Sequence, residues 1–107
     1  MNVFLDVTGP RLFSPYAIAE EAARATGVPL DEIYGRGRTA RLAHARHIAM
    51  WLVRKCTRLS LMEIGEHFGG RDHGTVIHAC RNVDSWMQQD AAFAARMNQM
   101  KEQFTNN

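Results

Sequence analysis

The chain has 107 residues, of which 46% are hydrophobic, and a formal net charge of +2. This size suits one domain with one modest core, and this hydrophobic content excludes an intrinsically disordered chain. No apolar run approaches the roughly 20 residues that span a membrane, no signal peptide is recognisable, and the two cysteines are too few for a disulfide framework. We therefore expect a cytoplasmic protein.

The chain divides into an N-terminal arm, residues 1–13, and one helical domain, residues 14–107. Within the arm, Val3, Leu5 and Val7 alternate weakly. This pattern is typical of a short strand, or of an arm that packs on helices. Strand signals are nearly absent from the rest of the chain, so we expect the domain itself to be helical.

Two helices are expected before residue 35. Ser14 followed by Pro15 is typical of a helix N-cap with proline at the first helical position, and Gly27 indicates where this helix ends. Residues 29–34, with the sequence PLDEIY, can form one or two further helical turns.

A flexible basic loop, residues 35–38 (GRGR), precedes a long helix expected at residues 39–56. The apolar residues of this helix follow the spacing of one buried face; they are Leu42, Ala45, Ala49, Leu52, Val53 and Cys56. Residues 36–58 include seven basic and no acidic residues, whereas the rest of the chain has six basic and eleven acidic residues. Such segregated charge is typical of a surface that binds a polyanion, although a solvated helix face has the same pattern.

Two short helices separated by a glycine turn follow. Ser60 and Glu63 form a capping-box pattern for the first helix, which is expected to end at Gly69 and Gly70. Asp72 can cap the second helix, whose apolar face is formed by Val76, Cys80, Val83 and Met87. This arrangement is typical of a helix-turn-helix, in which the second helix enters the major groove of DNA.

The N-terminal tip of that second helix has only short or polar side chains: Asp72, His73, Gly74 and Thr75. Asp72 can accept a hydrogen bond from cytosine N4, and Thr75 can offer its methyl group to thymine. Asp72 is also the expected N-cap, so base contact is an additional role for it.

The histidines and cysteines do not indicate a metal or catalytic site. A structural zinc ion needs four converging ligands, whereas Cys80 falls on the apolar face of its helix. A nucleophilic cysteine would need an activating histidine at a cleft. We therefore expect no metal, no cofactor and no catalytic residue.

The methionines allow a different interpretation, a helical protein-interaction module. Met62, Met87, Met97 and Met100 could line a groove for a protein partner, because methionine adapts to varied surfaces. We expect these side chains in the core instead, the last two within a final helix at residues 90–104.

Residues 69–83, GGRDHGTVIHACRNV, resemble the signature of the C-terminal DNA-binding domain of DnaA, the bacterial chromosomal replication initiator. The likeness extends upstream through LMEIGEHFGGRDH, ARHIAMWLV and GRGRTARLAHARH, and it covers about residues 18–83. The resemblance implies a compact all-α bundle of about six helices that contains a helix-turn-helix. It also implies sequence-specific binding to a short asymmetric duplex, the DnaA box.

The resemblance implies five base-reading positions. Arg38 matches a loop arginine that enters the minor groove, and Asp72, His73 and Thr75 match residues that face major-groove bases. Gly74 stands where the family usually has a base-contacting threonine. We therefore expect the preferred DNA site to be relaxed or shifted at one base pair.

Other positions match family residues that contact the DNA backbone: Arg46, His47, Arg54, Thr57, Arg58, Arg71 and His78. The loop region also departs from the family, because Gly37, Ala40 and His44 occupy positions that are commonly arginine. We expect the loop to be more mobile and to bind phosphate less strongly. Arg36 and Arg41 are expected to compensate in part through backbone contacts of their own.

The sequence contains no G-x-x-x-x-G-K-[ST] phosphate loop, so we expect neither ATP binding nor enzymatic activity. Double-stranded DNA is the expected partner, with other replication-initiation proteins as further candidates and the nucleoid as the location. The first residues do not resemble the connector helix to an ATPase domain, which favours an independent protein over an excised domain. Such a protein would act in replication initiation or its regulation, as a transcription regulator, or as a phage or mobile-element competitor for DnaA boxes.

Overall fold

The computed structural model describes residues 13–105, which form six α-helices and no strand. In chain order the helices are α1 (Pro15–Thr26), α2 (Leu30–Tyr34), α3 (Ala40–Cys56), α4 (Leu61–His67), α5 (His73–Gln89) and α6 (Ala91–Thr105). None of these helices is both long and apolar enough to cross a lipid bilayer. The predicted all-α bundle is therefore confirmed, whereas the alternation at Val3, Leu5 and Val7 lies outside the described residues.

Four helices begin at a side-chain cap; Ser14, Ser60 and Asp72 are the predicted caps, and Thr39, the expected start of the long helix, is the fourth. Side-chain oxygens of Ser14, Thr39, Ser60 and Asp72 each accept a hydrogen bond from the backbone N–H three residues later. Each such bond satisfies a donor that the first helical turn leaves without a partner. Ser60 also donates its own N–H to Glu63 Oε1 over 2.8 Å, which completes the capping box.

Helix α3 is the centre of the bundle, because it contacts each of the five other helices. Its residues 48–53, IAMWLV, are all buried, as expected for a helix segment that is apolar on every side. Trp51 is only 2% exposed, and its indole N–H donates to Asp84 Oδ1 on α5 over 2.9 Å. Helix α3 is therefore tied directly to α5.

The methionines do not share one surface. Met97 and Met100 are buried in the core, and Met87 is half-buried against it. Met62 is 64% exposed, so its predicted place in the core is wrong. The buried side of α4 includes Leu61, Ile64 and Phe68, which recur at helical spacing, and Met62 lies off that side. These four methionines therefore do not line a common groove for a partner.

Three glycines shape the turn between α4 and α5. Gly69 and Gly70 have φ angles of 89° and 81°, in the left-handed region that favours glycine. The Gly65 carbonyl, inside α4, accepts hydrogen bonds from the N–H groups of Gly70 and Arg71 over 3.1 and 2.9 Å. A Cβ atom at Gly65 would lie 1.9 Å from the Arg71 carbonyl oxygen. The turn thus passes so close to α4 that a side chain at Gly65 has no room.

Candidate nucleic-acid interface

The N-terminal tip of α5 presents four exposed residues: Asp72, His73, Gly74 and Thr75. Asp72 Oδ1 accepts the Thr75 N–H over 2.8 Å. This hydrogen bond from the main chain lowers the pKa of the Asp72 carboxyl group, so an ionised carboxylate is held at the start of the helix. Four of the five predicted base-reading residues therefore share one exposed and capped helix end.

Gly74 leaves a gap in this tip. A Cβ atom at Gly74 would meet only Asp72 Oδ1, at the ordinary contact distance of 3.5 Å. The backbone at this position does not require glycine, since its φ is not in the left-handed region. The Cβ atom that the family's usual threonine carries therefore fits at the start of α5.

The basic loop is held from inside by Arg46, which is only 6% exposed. Its guanidinium donates to four carbonyls: Nε to Ile33 over 2.7 Å, Nη1 to Gly37 over 3.1 Å, and Nη2 to Glu32 and Gly35 over 3.0 and 3.1 Å. Burial and the charge of Arg71 lower the pKa of Arg46, but an arginine remains protonated in a protein. The predicted phosphate contact of Arg46 stays a prediction, although this enclosed side chain has four of its five N–H donors occupied by the main chain. The same bonds restrain a loop that was expected to be mobile.

Arg71 reaches the same loop from the turn before α5. Its Nη2 donates to the Gly35 carbonyl over 2.8 Å, and its Nη1 donates to the Phe68 carbonyl. The Gly35 carbonyl thus accepts from two guanidinium groups, one on α3 and one on the helix-turn-helix. Arg71 is half-buried, and burial together with the charge of Arg36 lowers its pKa. Its predicted contact with the DNA backbone stays a prediction.

A groove of about 520 Å³ lies between the loop and the tip of α5. It is lined by Tyr34, Arg36, Gly37, Arg38, Arg46, Gly69, Gly70, Arg71 and Thr75. Four of these residues are arginines and none is acidic. Arg36 and Arg38 are exposed, and neither forms an ion pair with a carboxylate of residues 13–105. The groove therefore joins Arg38, predicted for the minor groove, and Thr75, predicted for the major groove, in one positively charged concavity.

A polar network links α3 to the outer side of α5. The Asn82 side-chain amide nitrogen lies 3.3 Å from both His47 Nδ1 and His78 Nε2. The His47 ring is half-buried and is stacked near Trp86, with ring centroids 6.0 Å apart at 15°. Burial, followed by the charge of His78, lowers the pKa of His47. His78 is exposed and available to a phosphate, whereas one side of His47 is engaged with α5.

The remaining residues that are predicted to contact the DNA backbone fall into two groups. Arg54 and Arg58 are exposed. Thr57 and Arg41 already have partners within the fold: the Thr57 hydroxyl donates to the main chain of α3 over 2.7 Å, and Arg41 Nη2 donates to the carbonyl at the end of α1 over 2.8 Å. Thr57 thereby stabilises the end of α3, and Arg41 ties α3 to α1. Their contacts with DNA stay predictions.

A second basic groove, of about 300 Å³, lies where α3, α4 and α5 meet. Its lining residues are Arg54, Lys55, Leu61, Ile77, Cys80, Arg81 and Asp84. Arg81 in this groove and Asn82 in the polar network beside it are absent from the predicted site residues. Both lie one helical turn after His78, so extending the outer face of α5 by three and four residues would have found them.

Cys80 lies inward, as expected from its place on the apolar face of α5. It is 6% exposed, and burial raises the pKa of its thiol. Among residues 13–105 no three histidine, cysteine, aspartate or glutamate side chains are grouped as they would be around a metal ion.

Helices α4 and α5, their glycine turn and the basic groove beside them define a helix-turn-helix domain of the DNA-binding class. Residues 15–83 match the family model described as the bacterial dnaA protein helix-turn-helix. This match extends from the first residue of α1 to the middle of α5 and covers more than half of the chain. The chain therefore belongs to the DnaA helix-turn-helix family, and the resemblance seen in the sequence is confirmed.

Individual relatives agree with this assignment. The chain is 39% identical over 88 residues to the chromosomal replication initiator protein DnaA of Anaplasma marginale, and 40% identical over 91 residues to that of Symbiobacterium thermophilum. These alignments cover 82% and 85% of this chain but 19% and 20% of the relatives. A crystal structure of a DNA replication initiation factor is similar with a TM-score of 0.74 and 35% identity, over 83% of this chain and 27% of that one. The chain thus spans about a fifth of the length of these curated relatives.

Proposed function

We propose that this chain binds duplex DNA sequence-specifically, at a site that resembles the DnaA box, in replication initiation or its regulation. The observation that carries the proposal is the basic groove of about 520 Å³. There the exposed arginines of the loop face the capped tip of α5, and no acidic residue lines the space between them.

Base reading is divided between two elements. An α-helix fits the major groove of B-DNA, and the tip of α5 would bring Asp72, His73 and Thr75 to base edges there. The loop would place Arg38 in the adjacent minor groove, where a narrow A·T-rich segment attracts arginine. Because Arg38 and Thr75 line the same groove of the protein, one face of the molecule supplies both contacts.

Affinity would come mainly from the flanks of this face. Arg54 lines a groove with residues of α5, His78 is on α5 itself, and Arg58 follows α3; all three are exposed and are suited to contact phosphates, which position the protein without reading sequence. Such binding releases counterions and therefore weakens steeply as salt is raised. A helical protein-interaction module, the rival interpretation, would respond only weakly to salt.

Double-stranded DNA is the proposed partner, and the nucleoid in the cytoplasm is the proposed location. A transcription regulator, or a competitor for DnaA boxes, would use the same interface. Other replication-initiation proteins remain candidate partners. The DNA sequence that the chain prefers separates a protein that binds DnaA boxes, whether in initiation or as a competitor, from a transcription regulator that binds unrelated sites.

Selection of bound duplexes from a random pool, at a stated salt concentration, tests the proposal. We expect enrichment of one short asymmetric motif related to the DnaA box, with an A·T-rich segment next to it. We also expect the logarithm of the binding constant to fall linearly with the logarithm of the salt concentration. Recovery of no motif, or binding that is insensitive to salt, would contradict the proposal.

Arg38→Ala is expected to weaken binding to the selected site by roughly tenfold, and to weaken binding to random duplex much less. The reason is that part of the binding energy of Arg38 depends on the shape of the minor groove. Fluorescence anisotropy with both duplexes measures the difference. Arg96→Ala, which removes one exposed positive charge from α6, is the matched control and should affect neither duplex strongly. Equal losses on both duplexes would make Arg38 a phosphate contact only.

A further inference from the structure

We infer that Arg46 and Arg71 are positioning residues that fix the Arg38 loop against the tip of α5, so that the two base-reading elements act as one rigid unit. The inference rests on the proposed function and assigns two residues of the same site a role other than phosphate contact. Its central observation is the Gly35 carbonyl, which accepts from Arg46 Nη2 over 3.1 Å and from Arg71 Nη2 over 2.8 Å.

The loop has little of its own to hold it in one conformation. It has two glycines in four residues, and glycine loses more conformational freedom on ordering than other residues. Arg46 compensates with hydrogen bonds to carbonyls on both sides of Arg36, at Gly35 and Gly37. Hydrogen bonds from a charged donor are stronger than neutral ones. The chain is thereby restrained up to the residue before Arg38.

Arg71 connects this restrained loop to the helix-turn-helix. Its side chain donates hydrogen bonds to the carbonyls of Gly35 and Phe68, and its main-chain N–H donates to the Gly65 carbonyl over 2.9 Å. The next residue, Asp72, is the cap of α5. The distance between the loop and the reading tip is thus set through a short path of hydrogen bonds within the protein.

Lysine cannot reproduce this geometry. Arginine has a planar fork of five donors, whereas lysine has a single ammonium group at the end of a flexible stem. Arg46 bonds carbonyls at four positions with three different nitrogen atoms. Arg46→Lys therefore keeps the positive charge but loses the restraint, which separates a positioning role from an electrostatic one.

A double-mutant cycle of Arg46→Lys and Arg38→Ala is the test, with affinities measured on the selected site and on random duplex. We expect Arg46→Lys to weaken binding to the selected site by roughly tenfold and to random duplex by less than about twofold. The double variant should bind within about twofold of Arg38→Ala alone, because positioning has no value once Arg38 is absent. Arg96→Lys on α6 is the matched control and should change neither affinity.

Affinities for DNA sites that carry single base-pair changes provide a second measurement. General destabilisation of the protein would not alter which base pairs it prefers. Arg46→Lys should relax preference at the same base pairs as Arg38→Ala and leave preference at the pairs read by His73 intact. Arg71 bonds the Gly35 carbonyl from the helix-turn-helix side, so Arg71→Lys should relax preference at the same base pairs. This second variant keeps the test decisive if Arg46→Lys does not fold.

Additive losses in the cycle, or equal losses on both duplexes, would overturn the positioning role and make Arg46 an independent contact. Those outcomes leave the proposed function standing as long as the unmodified chain prefers its selected site. An unmodified chain with no preference between the selected site and random duplex would overturn the proposed function itself.

Discussion

In the exposed tip of α5, Gly74 is the one residue without a side chain. Gly74 provides neither a methyl group nor a hydrogen-bonding side chain, although a Cβ atom there would have only an ordinary contact with Asp72. The gap is thus a matter of side-chain chemistry and not of backbone geometry. A glycine in the first turn also weakens the helix slightly relative to other residues.

Gly74→Thr is expected to sharpen the preference for the family's usual box by about fivefold or more, the lower end of what one good base contact contributes. Binding to the box and to its single base-pair variants measures this effect. Gly74→Ala is the matched control, since it raises helix propensity by up to roughly 1 kcal/mol without the hydroxyl. If threonine brings no gain over alanine, the DNA site of this chain has diverged beyond one position.

His73→Ala removes the ring nearest the start of α5 and is expected to flatten preference at one or two base pairs, each by roughly fivefold or more. Affinity for random duplex should change much less, because base contacts contribute little to non-specific binding. A selection experiment with the variant, run beside the original chain, provides the comparison. An unchanged profile would exclude His73 from the base-reading residues.

At the scale of elements, the helix-turn-helix depends on how closely its two helices approach. The carbonyl of Gly65 binds the turn, and a side chain at Gly65 would collide with the Arg71 carbonyl oxygen. The obstacle is main chain and not a flexible side chain, so α4 and the turn would have to move apart. That movement would displace Arg71 and, with it, the start of α5.

Gly65→Ala is therefore expected to lower the free energy of unfolding by roughly 2 kcal/mol or more, as overpacking of a close contact does. Thermal or urea unfolding followed by circular dichroism measures the change. Gly74→Ala is again the matched control: it makes the same chemical substitution on the other helix of the motif and should be neutral or stabilising. A stable Gly65→Ala variant would show that the turn can open without loss.

Helix boundaries could be predicted from the sequence because caps act locally. The predicted caps Ser14, Ser60 and Asp72 each satisfy a donor three residues later, so no knowledge of the tertiary fold is needed. The enclosed position of Arg46 could not be predicted in this way. Its burial depends on α2 and the loop folding back over α3, and a basic residue in a basic segment is most simply taken as exposed.

Other features that the sequence left undetermined have similar causes. In the sequence, Gly65 is simply a residue of low helix propensity in a short helix. Its close contact with the turn is apparent only in the tertiary structure. Met62 counts as hydrophobic in composition, yet its position on α4 leaves it in solvent. Both depend on which side of α4 is covered, which is a property of the assembled bundle.

For the molecule as a whole, two histidines connect stability to pH. Burial lowers the pKa of His47 and of His67 below the ordinary value of 6.5. The charges of His78, Arg46 and His44 also oppose protonation of His47. His67 shares a hydrogen bond of 2.5 Å with the hydroxyl of Tyr34.

Because both pKa values are lower in the folded state, the unfolded chain binds more protons between the folded pKa values and 6.5. The stabilising effect of these two neutral histidines is present above pH 6.5 and is lost as the pH falls. We expect the free energy of unfolding to decline below that value, with a slope of at most about 1.4 kcal/mol per pH unit for each histidine. Urea titrations across the range provide the slope, which His47→Gln and His67→Gln should each reduce. An unchanged slope in both variants would assign the pH dependence to other groups.

Arg46 and Arg71 bond carbonyl oxygens and not carboxylates, so these bonds occupy their donors without cancelling their charge. Two full positive charges therefore remain just beneath the groove, close enough to act across the Debye length of about 8 Å at physiological salt. Such a field speeds the diffusional arrival of DNA even from side chains that touch no phosphate. For Arg46→Lys the field persists while the restraint is lost, so its weaker binding should arise from faster dissociation, with the association rate retained.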